Sequence, residues 1–430
     1  MSKTTIKQVY AMQVYTGRGF PGVEAVVRTE GGAEGRALVT SGTSIGSHEV
    51  TFSFDDTGRF AGKGVMNAVN NVNDVIAPVL VGMSAADQLA IDTAMLSLVP
   101  DAKQKLGGNA IAAVSAAALK AGAIALDIPL YQHIGGVGAT TLPVPGVLAM
   151  VGSDRFGGGI TTPGGKPSYT IMCFGYKTFE EAAYAAWEIS NSWKESVRKA
   201  FGATAGMGAF LNLGPGFVKS DEELWEMMAK AIASAGHEGK AGIQVDVATD
   251  TYHNKDDDKY YGLFDDKPKT KEDLMKLYMY MVENYPFVII EDPFNEDDYD
   301  ATAELTKACG IQITGDDLFT TNPERVAYGI SKGAANTVLL KVNQIGSISE
   351  ALEMVNYAYS YGYSVMPCES RGEGAAIADY AVGINAGSVR EAAISPTGNR
   401  FLEIEKELGA RGRFAGPRGL QGWRNRARTV

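Results

Sequence analysis

Phe287-Val288-Ile289-Ile290-Glu291 is an apolar run that ends in a carboxylate, and Val338-Leu339-Leu340-Lys341 is a second run that ends in an amine. Four further short apolar runs lie at residues 169–172, 243–246, 311–314 and 364–366. Each run precedes a segment with helical periodicity, and continuous apolar strands are typical of a parallel sheet that is buried on both faces. Six or more such units in roughly 250 residues predict an α/β fold built on a TIM-like (β/α)8 barrel.

The first third of the chain has a different pattern. Residues 4–30 alternate between apolar and polar side chains, and a glycine- and serine-rich loop follows at residues 41–49. Residues 108–130 are rich in alanine and apolar on several faces, which predicts a buried helix. We therefore expect an N-terminal α+β domain with a mobile loop over residues 1–137, and the barrel with a basic C-terminal tail over residues 138–430.

Charge and cysteine content limit the partners and the compartment. The chain has 39 Lys and Arg residues against 50 Asp and Glu residues, a net charge of −11. This balance argues against nucleic acid or an anionic membrane as the main partner, although a bound metal would still allow a small anionic substrate. Three scattered cysteines fit a reducing compartment. Because the start MSKTTIKQVY lacks the apolar segment of a secretory signal, we expect a cytoplasmic protein.

Charged residues stand at the ends of four predicted strands. Asp246, Glu291, Asp316 and Lys341 hold these positions, and the last three are each 25 residues apart. Polar residues at the C-terminal ends of barrel strands face a shared mouth. Three carboxylates there would repel one another unless a hard cation such as Mg²⁺ joined them. A neighbouring lysine whose pKa is lowered by that cation could then remove a proton α to a substrate carboxylate.

Each acid taken singly has a less specific explanation. An Asp or Glu at a strand end is more often a helix cap or a loop-forming residue. It is the occurrence of all four groups at the spacing of one βα unit that favours an enolate-forming site.

Several ordered motifs identify the chain as similar to a known family. They are Ile290-Glu291-Asp292-Pro293-Phe294, Gly315-Asp316-Asp317-Leu318, Leu340-Lys341-Val342-Asn343-Gln344, Gly108-Asn109-Ala110, Leu142-Pro143-Val144-Pro145 and the loop at residues 41–49. These motifs resemble those of enolases, and the resemblance extends from about residue 5 to Gly409. It implies an enolase fold, two Mg²⁺ ions, a homodimer or octamer, and dehydration of 2-phosphoglycerate. It also implies that Asp246, Glu291 and Asp316 bind the first Mg²⁺, that Lys341 is the catalytic base, and that Ser44 reaches the second Mg²⁺ and the substrate.

The sequence departs from the enolase pattern on the side of the site where the leaving group departs. The acidic Gly-Asp-Glu-Gly-Gly loop corresponds to Gly208-Ala209-Phe210-Leu211-Asn212, in which we place Leu211 at the position of the acid. The second family glutamate falls within Pro167-Ser168-Tyr169, and a family histidine falls at Arg155.

The phosphate-binding motif and the substrate-neutralising lysine also differ. The motif Ser-His-Arg-Ser-Gly-Glu becomes Cys368-Glu369-Ser370-Arg371-Gly372-Glu373, and the family lysine becomes Arg390. We therefore expect Arg390 to act in catalysis, and Arg155, Glu369, Ser370 and Arg371 to bind substrate. Pairing of these arginines with Glu369, Glu373 or other acids is the alternative explanation.

Three functions follow from these observations. The first is a Mg²⁺-dependent lyase that acts on a phospho- or phosphono-carboxylate other than 2-phosphoglycerate, as in relatives such as carboxyphosphonoenolpyruvate synthase. The second is a true enolase with relocated acid groups. The third is a non-catalytic binding protein on the same scaffold, although retention of all three acids argues against it.

Overall fold

A computed structural model describes residues 2–17, 19–42, 45–55, 57–152, 155–157, 166–202, 210–369 and 371–428. The N-terminal part contains an antiparallel sheet in the order β1-β2-β3. Its strands are β1 (Ile6–Tyr15), β2 (Pro21–Thr29) and β3 (Glu34–Val39). Its helices are α1 (Met66–Asn70), α2 (Ala77–Leu80), α3 (Gln88–Leu96), α4 (Gly108–Leu126) and α5 (Leu130–Gly135). Short π-helical segments lie at Asn71–Ile76 and Lys103–Gly107, and 3-10 turns lie at Arg59–Gly62 and Gly136–Gly138.

Helix α4 is the central helix of the N-terminal part, as the alanine-rich pattern predicted. It packs against β2 and β3, and most of its residues are buried. The segment Lys103–Leu126 is long and apolar enough to cross a membrane by composition, but 83% of its most apolar window is buried in the fold. A helix that is apolar all round is expected in the core of a large domain, so this burial accounts for its composition.

The rest of the chain forms the barrel and its short accessory strands. The strands are β4 (Thr141–Leu142), β5 (Val144–Val151), β6 (Ser168–Cys173), β7 (Leu211–Asn212), β8 (Ala241–Asp246), β9 (His253–Asn254), β10 (Lys259–Tyr260), β11 (Phe287–Glu291), β12 (Gln312–Gly315), β13 (Thr337–Leu340), β14 (Ser364–Pro367), β15 (Ser388–Val389) and β16 (Arg413–Phe414). The helices are α6 (Phe179–Phe201), α7 (Asp221–Ser234), α8 (Lys271–Asn284), α9 (Tyr299–Cys309), α10 (Pro323–Lys332), α11 (Val342–Ile345), α12 (Ile348–Ser360), α13 (Ala376–Gly383), α14 (Pro396–Leu408) and α15 (Trp423–Arg426), with single turns at Thr249–Tyr252, Gly409–Arg411 and Gly416–Gly419.

Eight strands form the barrel ring, in the order β14-β13-β12-β11-β8-β6-β5-β15. A bridge between Cys368 and Arg390 closes the ring between β14 and β15. All six strands predicted from the apolar runs are present, so the barrel prediction is confirmed. The ring is not wholly parallel, however, because β6 runs antiparallel to both of its neighbours, β5 and β8.

The direction of β6 places an unexpected part of the chain at the barrel mouth. The first residue of β6, Ser168, pairs with Asp246, which is the last residue of β8. Residues just before β6 therefore lie at the same end as residues that follow the parallel strands.

The opposite end of the barrel is covered by the C-terminal tail. Strand β16 pairs with β4, and Leu420 is fully buried against apolar side chains of the barrel strands. Asn425 donates a hydrogen bond to the carbonyl of Val288. The arginine-rich tail thus packs on the barrel at the end opposite to the mouth.

Candidate active site

The four charged groups at strand ends are buried and come together at the barrel mouth. Asp246 and Glu291 end neighbouring strands β8 and β11 and are direct register partners. Asp316 follows β12 at once, and Lys341 follows β13. Each of the four is at most 5% exposed. The repeated βα unit explains why residues so far apart in sequence reach the same end of the barrel.

Asp292 joins the acidic group, although our sequence analysis did not select it as a site residue. Carboxylate oxygens of Glu291, Asp292 and Asp316 all lie within 4.8 Å of one another. Asp292 accepts hydrogen bonds of 2.9 Å from the backbone N–H groups of Asp316 and Asp317. Its main role in the structure is therefore to fix the turn that carries Asp316. Burial, and next the charge of Asp317, raise the pKa of Asp292 well above its ordinary value.

The donor set of this cluster fits a hard divalent cation. The ligand atoms on offer are carboxylate oxygens, which Mg²⁺ prefers, and they are buried in one place. Burial raises the pKa of Glu291 even though Arg390 opposes the shift. Burial would likewise raise the pKa of Asp316, but Lys341 and Arg371 outweigh it and lower that pKa to about 2. The charges of the site are thus strongly coupled.

Lys341 points at the acids, as predicted. Its Nζ lies 2.5 Å from Oδ2 of Asp316, and the amide of Gln344 donates to the other Asp316 oxygen at 2.7 Å. Burial would lower the pKa of Lys341, but the charge of Asp316 prevails and raises it. The lowering predicted above is for a lysine beside bound Mg²⁺, and it stays a prediction. A cation bound to Asp316 would offset the negative charge that raises the pKa of Lys341.

Arg390 is bound on all sides by acceptors of the protein. Its guanidinium donates to Glu291 at 2.8 Å, to Asp246 at 2.6 Å, to Ser168 at 3.1 Å and to Glu391 at 3.1 Å. Arg390 thereby joins the two acids that end β8 and β11. Its expected contact with a substrate would use only the face that borders the cavity.

Lys166 is a second cation at the mouth and was not selected from the sequence. Its ammonium forms an ion pair with Asp246, and its side chain is 15% exposed. Burial, and next the charge of Arg390, lower the pKa of Lys166 to about 8. The sequence signal was weak because Lys166 precedes its strand instead of following it.

The cations that contact these acids line one cavity of about 390 Å³ at the barrel mouth. Its charged lining residues all come from the barrel and are Lys166, Lys341, Glu369, Arg371, Arg390 and Glu391, and uncharged residues of the barrel and of the N-terminal part, among them Ser168, Thr16, Leu38 and Thr40, complete the wall. A cavity of this size, with several convergent charged groups, is suited to a small polar ligand.

Comparison with known proteins assigns the family. Residues 139–421 match the enolase C-terminal TIM barrel domain, and residues 6–134 match the enolase N-terminal domain. An enolase of Bifidobacterium animalis subsp. lactis is 40% identical over 427 residues, covering 96% of this chain and 97% of the relative. Enolases of Bifidobacterium longum subsp. infantis and Bifidobacterium adolescentis are also 40% identical, each with 96% coverage of both chains.

The chain belongs to the enolase family.

Enolases are carbon–oxygen lyases that use Mg²⁺, and this enolase-family chain keeps the acids and the lysine at the barrel mouth. Apolar residues stand where the resemblance assigns the leaving-group acid. Leu211 is buried in β7, beside β5, and Phe210 precedes it. Matching the five-residue stretch letter by letter puts Phe210, instead of Leu211, opposite the family glutamate. Neither side chain can donate a proton.

The structure places Arg155 in a buried ion pair away from the cavity, against the prediction that it binds substrate. Its Nε and Nη2 donate to the two oxygens of Asp221 at 2.9 and 2.6 Å, and Nη1 donates to the carbonyl of Gly152 at 2.8 Å. Both side chains of the pair are at most 2% exposed. Neither borders the cavity at the barrel mouth. The physical reason is desolvation, because a buried arginine requires a fixed carboxylate and Asp221 supplies it.

The remaining candidates for substrate binding differ in placement. Arg371 lines the cavity and forms a buried bidentate pair with Glu49 of the loop at residues 41–49. Glu369 lines the cavity and accepts a 2.7 Å hydrogen bond from Thr397. Ser44 and Ser370 fall outside the described residues, so their predicted roles stay predictions.

Two acids stand closest to replacing the missing glutamate. Glu369 and Glu391 both border the cavity. Glu373 does not border it, and it instead accepts from the backbone N–H of Arg371. Burial raises the pKa of Glu373.

Proposed function

We propose that this enolase-family chain is a Mg²⁺-dependent lyase in which Lys341 removes the proton α to the carboxylate of a small substrate that bears a second anionic group. The observation that carries the proposal is the buried contact of Asp316 with Lys341, which lines the cavity. The other two strand-end acids, Asp246 and Glu291, lie just behind the cavity wall, where they accept hydrogen bonds from the cavity-lining Arg390. An amine in this position is within reach of a ligand that fills the cavity.

We assign Mg²⁺ binding to Asp246, Glu291 and Asp316, with Ser44 as a ligand of a second ion as the resemblance implies. Mg²⁺ bound there would neutralise the substrate carboxylate and the enolate charge. The chain's own contribution is then to hold the substrate between Lys341 and the arginines. Arg371 and the cavity face of Arg390 are placed to hold its anionic groups. The negative charge that develops on the substrate meets cations fixed in advance by buried acids.

The first candidate substrate is 2-phosphoglycerate. The comparisons support it most directly, because the relatives that are 40% identical over nearly their full length are named enolases. Dehydration would give phosphoenolpyruvate. The cavity is large enough for a three-carbon phospho-carboxylate, and its wall is rich in cations.

A second candidate is a phospho- or phosphono-carboxylate other than 2-phosphoglycerate, of the kind handled by carboxyphosphonoenolpyruvate synthase. The specific observation in its favour is the apolar pair Phe210 and Leu211 at the position of the family acid. Loss of a general acid costs roughly 10²–10⁴ in rate, and hydroxide is a poor leaving group. A substrate with a better leaving group would not need that acid.

Proton exchange in deuterated water tests the shared step. With Mg²⁺ and 2-phosphoglycerate, the wild-type chain should exchange the α-proton, and Lys341→Met should abolish that exchange. Gln344→Ala is a matched control, because it removes a neighbour of Asp316 and leaves the base in place. The phosphono analogue of 2-phosphoglycerate is tested in parallel. Failure of both compounds to exchange would refute the proposal.

Formation of phosphoenolpyruvate separates the two candidates. Enolase-like turnover, followed by ultraviolet absorbance, would establish the first. Exchange without product from 2-phosphoglycerate, together with product from the phosphono analogue, would establish the second. Failure to bind Mg²⁺ in calorimetry would instead favour a non-catalytic binding protein.

Compartment and assembly are part of the same proposal. We propose a cytoplasmic homodimer or octamer, as the family resemblance implies. Light scattering of the purified chain tests the assembly, since a monomer at micromolar concentration would contradict it.

A further inference from the structure

Lys166 and Lys341 lie on opposite walls of the barrel mouth. Lys341 follows β13, and Lys166 stands two residues before β6. In the closed ring β14-β13-β12-β11-β8-β6-β5-β15, strands β13 and β6 are four positions apart, which is half of the eight-stranded circle. The two strands are therefore diametrically opposed.

The direction of β6 brings Lys166 to the same height as Lys341. Because β6 is antiparallel to β8, its first residue is level with Asp246 at the C-terminal end of β8. Both lysines border the same cavity of about 390 Å³. A ligand that fills this cavity must lie between them.

Lys166 is held as a cation at this wall. Its ammonium contacts the carboxylate of Asp246, which also accepts from Arg390. Arg390 also contacts Glu291, so its guanidinium and the Lys166 ammonium together balance two carboxylates. Lys166 borders the cavity as well, so its charge acts on a ligand there and not only on Asp246.

We infer that Lys166 is a catalytic residue that binds the departing group on the face of the substrate opposite to Lys341. This inference rests on the proposed function and names a residue that the family pattern does not supply. In the reaction, the α C–H bond breaks, its proton goes to Nζ of Lys341, and its electron pair enters the enolate. The electron pair of the enolate then forms the double bond between the α- and β-carbons while the bond from the β-carbon to the leaving oxygen breaks. The oxygen takes the electron pair of the broken bond and leaves as an anion beside the Lys166 ammonium.

The inference explains how the chain manages with an apolar residue where the family has its acid. A fixed positive charge stabilises an oxygen anion without donating a proton to it. The inference therefore uses only the charge and the position of Lys166.

Separate measurement of the two half-reactions tests the role of Lys166. The probes are 2-phosphoglycerate and its phosphono analogue, each with Mg²⁺. Lys166→Met should retain Lys341-dependent exchange of the α-proton within about tenfold. It should lower the rate of product formation by about 10²–10³, the usual effect of removing one oxyanion-stabilising group. Lys166→Arg should recover part of the rate of product formation, because the positive charge remains.

The control is Lys269→Met, which removes another lysine with little exposure and a carboxylate partner, Asp265, outside the cavity. It should leave both half-reactions unchanged, and thermal unfolding of all variants should show that they are folded. If the rates of α-proton exchange and product formation fall equally in Lys166→Met, Lys166 acts through Asp246 and the inference is wrong. It is also wrong if neither rate changes, or if the wild-type chain exchanges the α-proton but forms product from neither probe. Absence of exchange in the wild type would refute the proposed function itself.

Discussion

The buried pair of Arg155 and Asp221 gives the clearest test of which arginines are structural. Arg155→Met keeps the length of the side chain and removes three donors, two of which bind the carboxylate of Asp221. Asp221 is fully buried, and among side chains of the described residues it would keep the 2.6 Å hydrogen bond from the Tyr169 hydroxyl. Removing one partner of a buried ion pair typically costs about 3–5 kcal/mol. We expect the free energy of unfolding of the barrel to fall by about that amount.

The structure also supplies the reporter and the control. Trp225 donates a 2.9 Å hydrogen bond to the hydroxyl of Tyr169, so its fluorescence should follow unfolding of this region in urea. Adding Asp221→Leu to Arg155→Met should recover much of the loss, because the uncompensated charge is gone. The exposed pair of Lys230 and Glu226 is the control, and Lys230→Met should cost about 0–1 kcal/mol.

Substrate kinetics provide the result that would refute this explanation. Because Arg155 does not border the cavity, KM should stay within about threefold in the folded variant. An Arg155→Met variant with unchanged stability and a KM raised tenfold or more would show that Arg155 contacts substrate.

Three other predictions concern the metal, the loop and pH. Mg²⁺ at about 100 times its Kd should raise the free energy of unfolding by about 2.7 kcal/mol. Glu291→Gln should abolish Mg²⁺ binding in calorimetry and this stabilisation in thermal unfolding, whereas Glu195→Gln, a control at an exposed position, should change neither. Glu49→Gln should break the buried ion pair with Arg371 and speed protease cleavage within residues 41–50 by roughly tenfold to a hundredfold, because hydrogen bonds to charged groups contribute about 1.5–3 kcal/mol. An unchanged cleavage rate would mean that other contacts hold the loop. Burial raises the pKa of Asp250 from 3.8 to about 6, so the contribution of this group to stability is full below about pH 4 and is lost as pH rises through about 6. In urea unfolding, Asp250→Asn should therefore remove a slope of at most about 1.4 kcal/mol per pH unit from the free energy of unfolding. An identical pH dependence in the variant would contradict this assignment.

Some parts of the fold were harder to predict than others. The six apolar runs were found because strands buried on both faces need continuous apolar sequence. Strand β5 was missed because it contains Pro145 and Gly146, which usually indicate a break in a strand. Strand β15 was missed because it has only two residues.

The sequence by itself determined the site as far as the repeat of the barrel reaches. Glu291, Asp316 and Lys341 could be grouped because parallel βα units return to the same edge at a fixed spacing. Tertiary structure alone decided which cations border the cavity. Asp221 is 66 residues from Arg155, and Arg390 is 144 residues from Asp246, so no local pattern connects these partners. Lys166 could not be selected from the sequence because β6 is antiparallel to its neighbours, so the start of this strand, and not its end, lies at the barrel mouth. The direction of a strand is set by the packing of the whole ring.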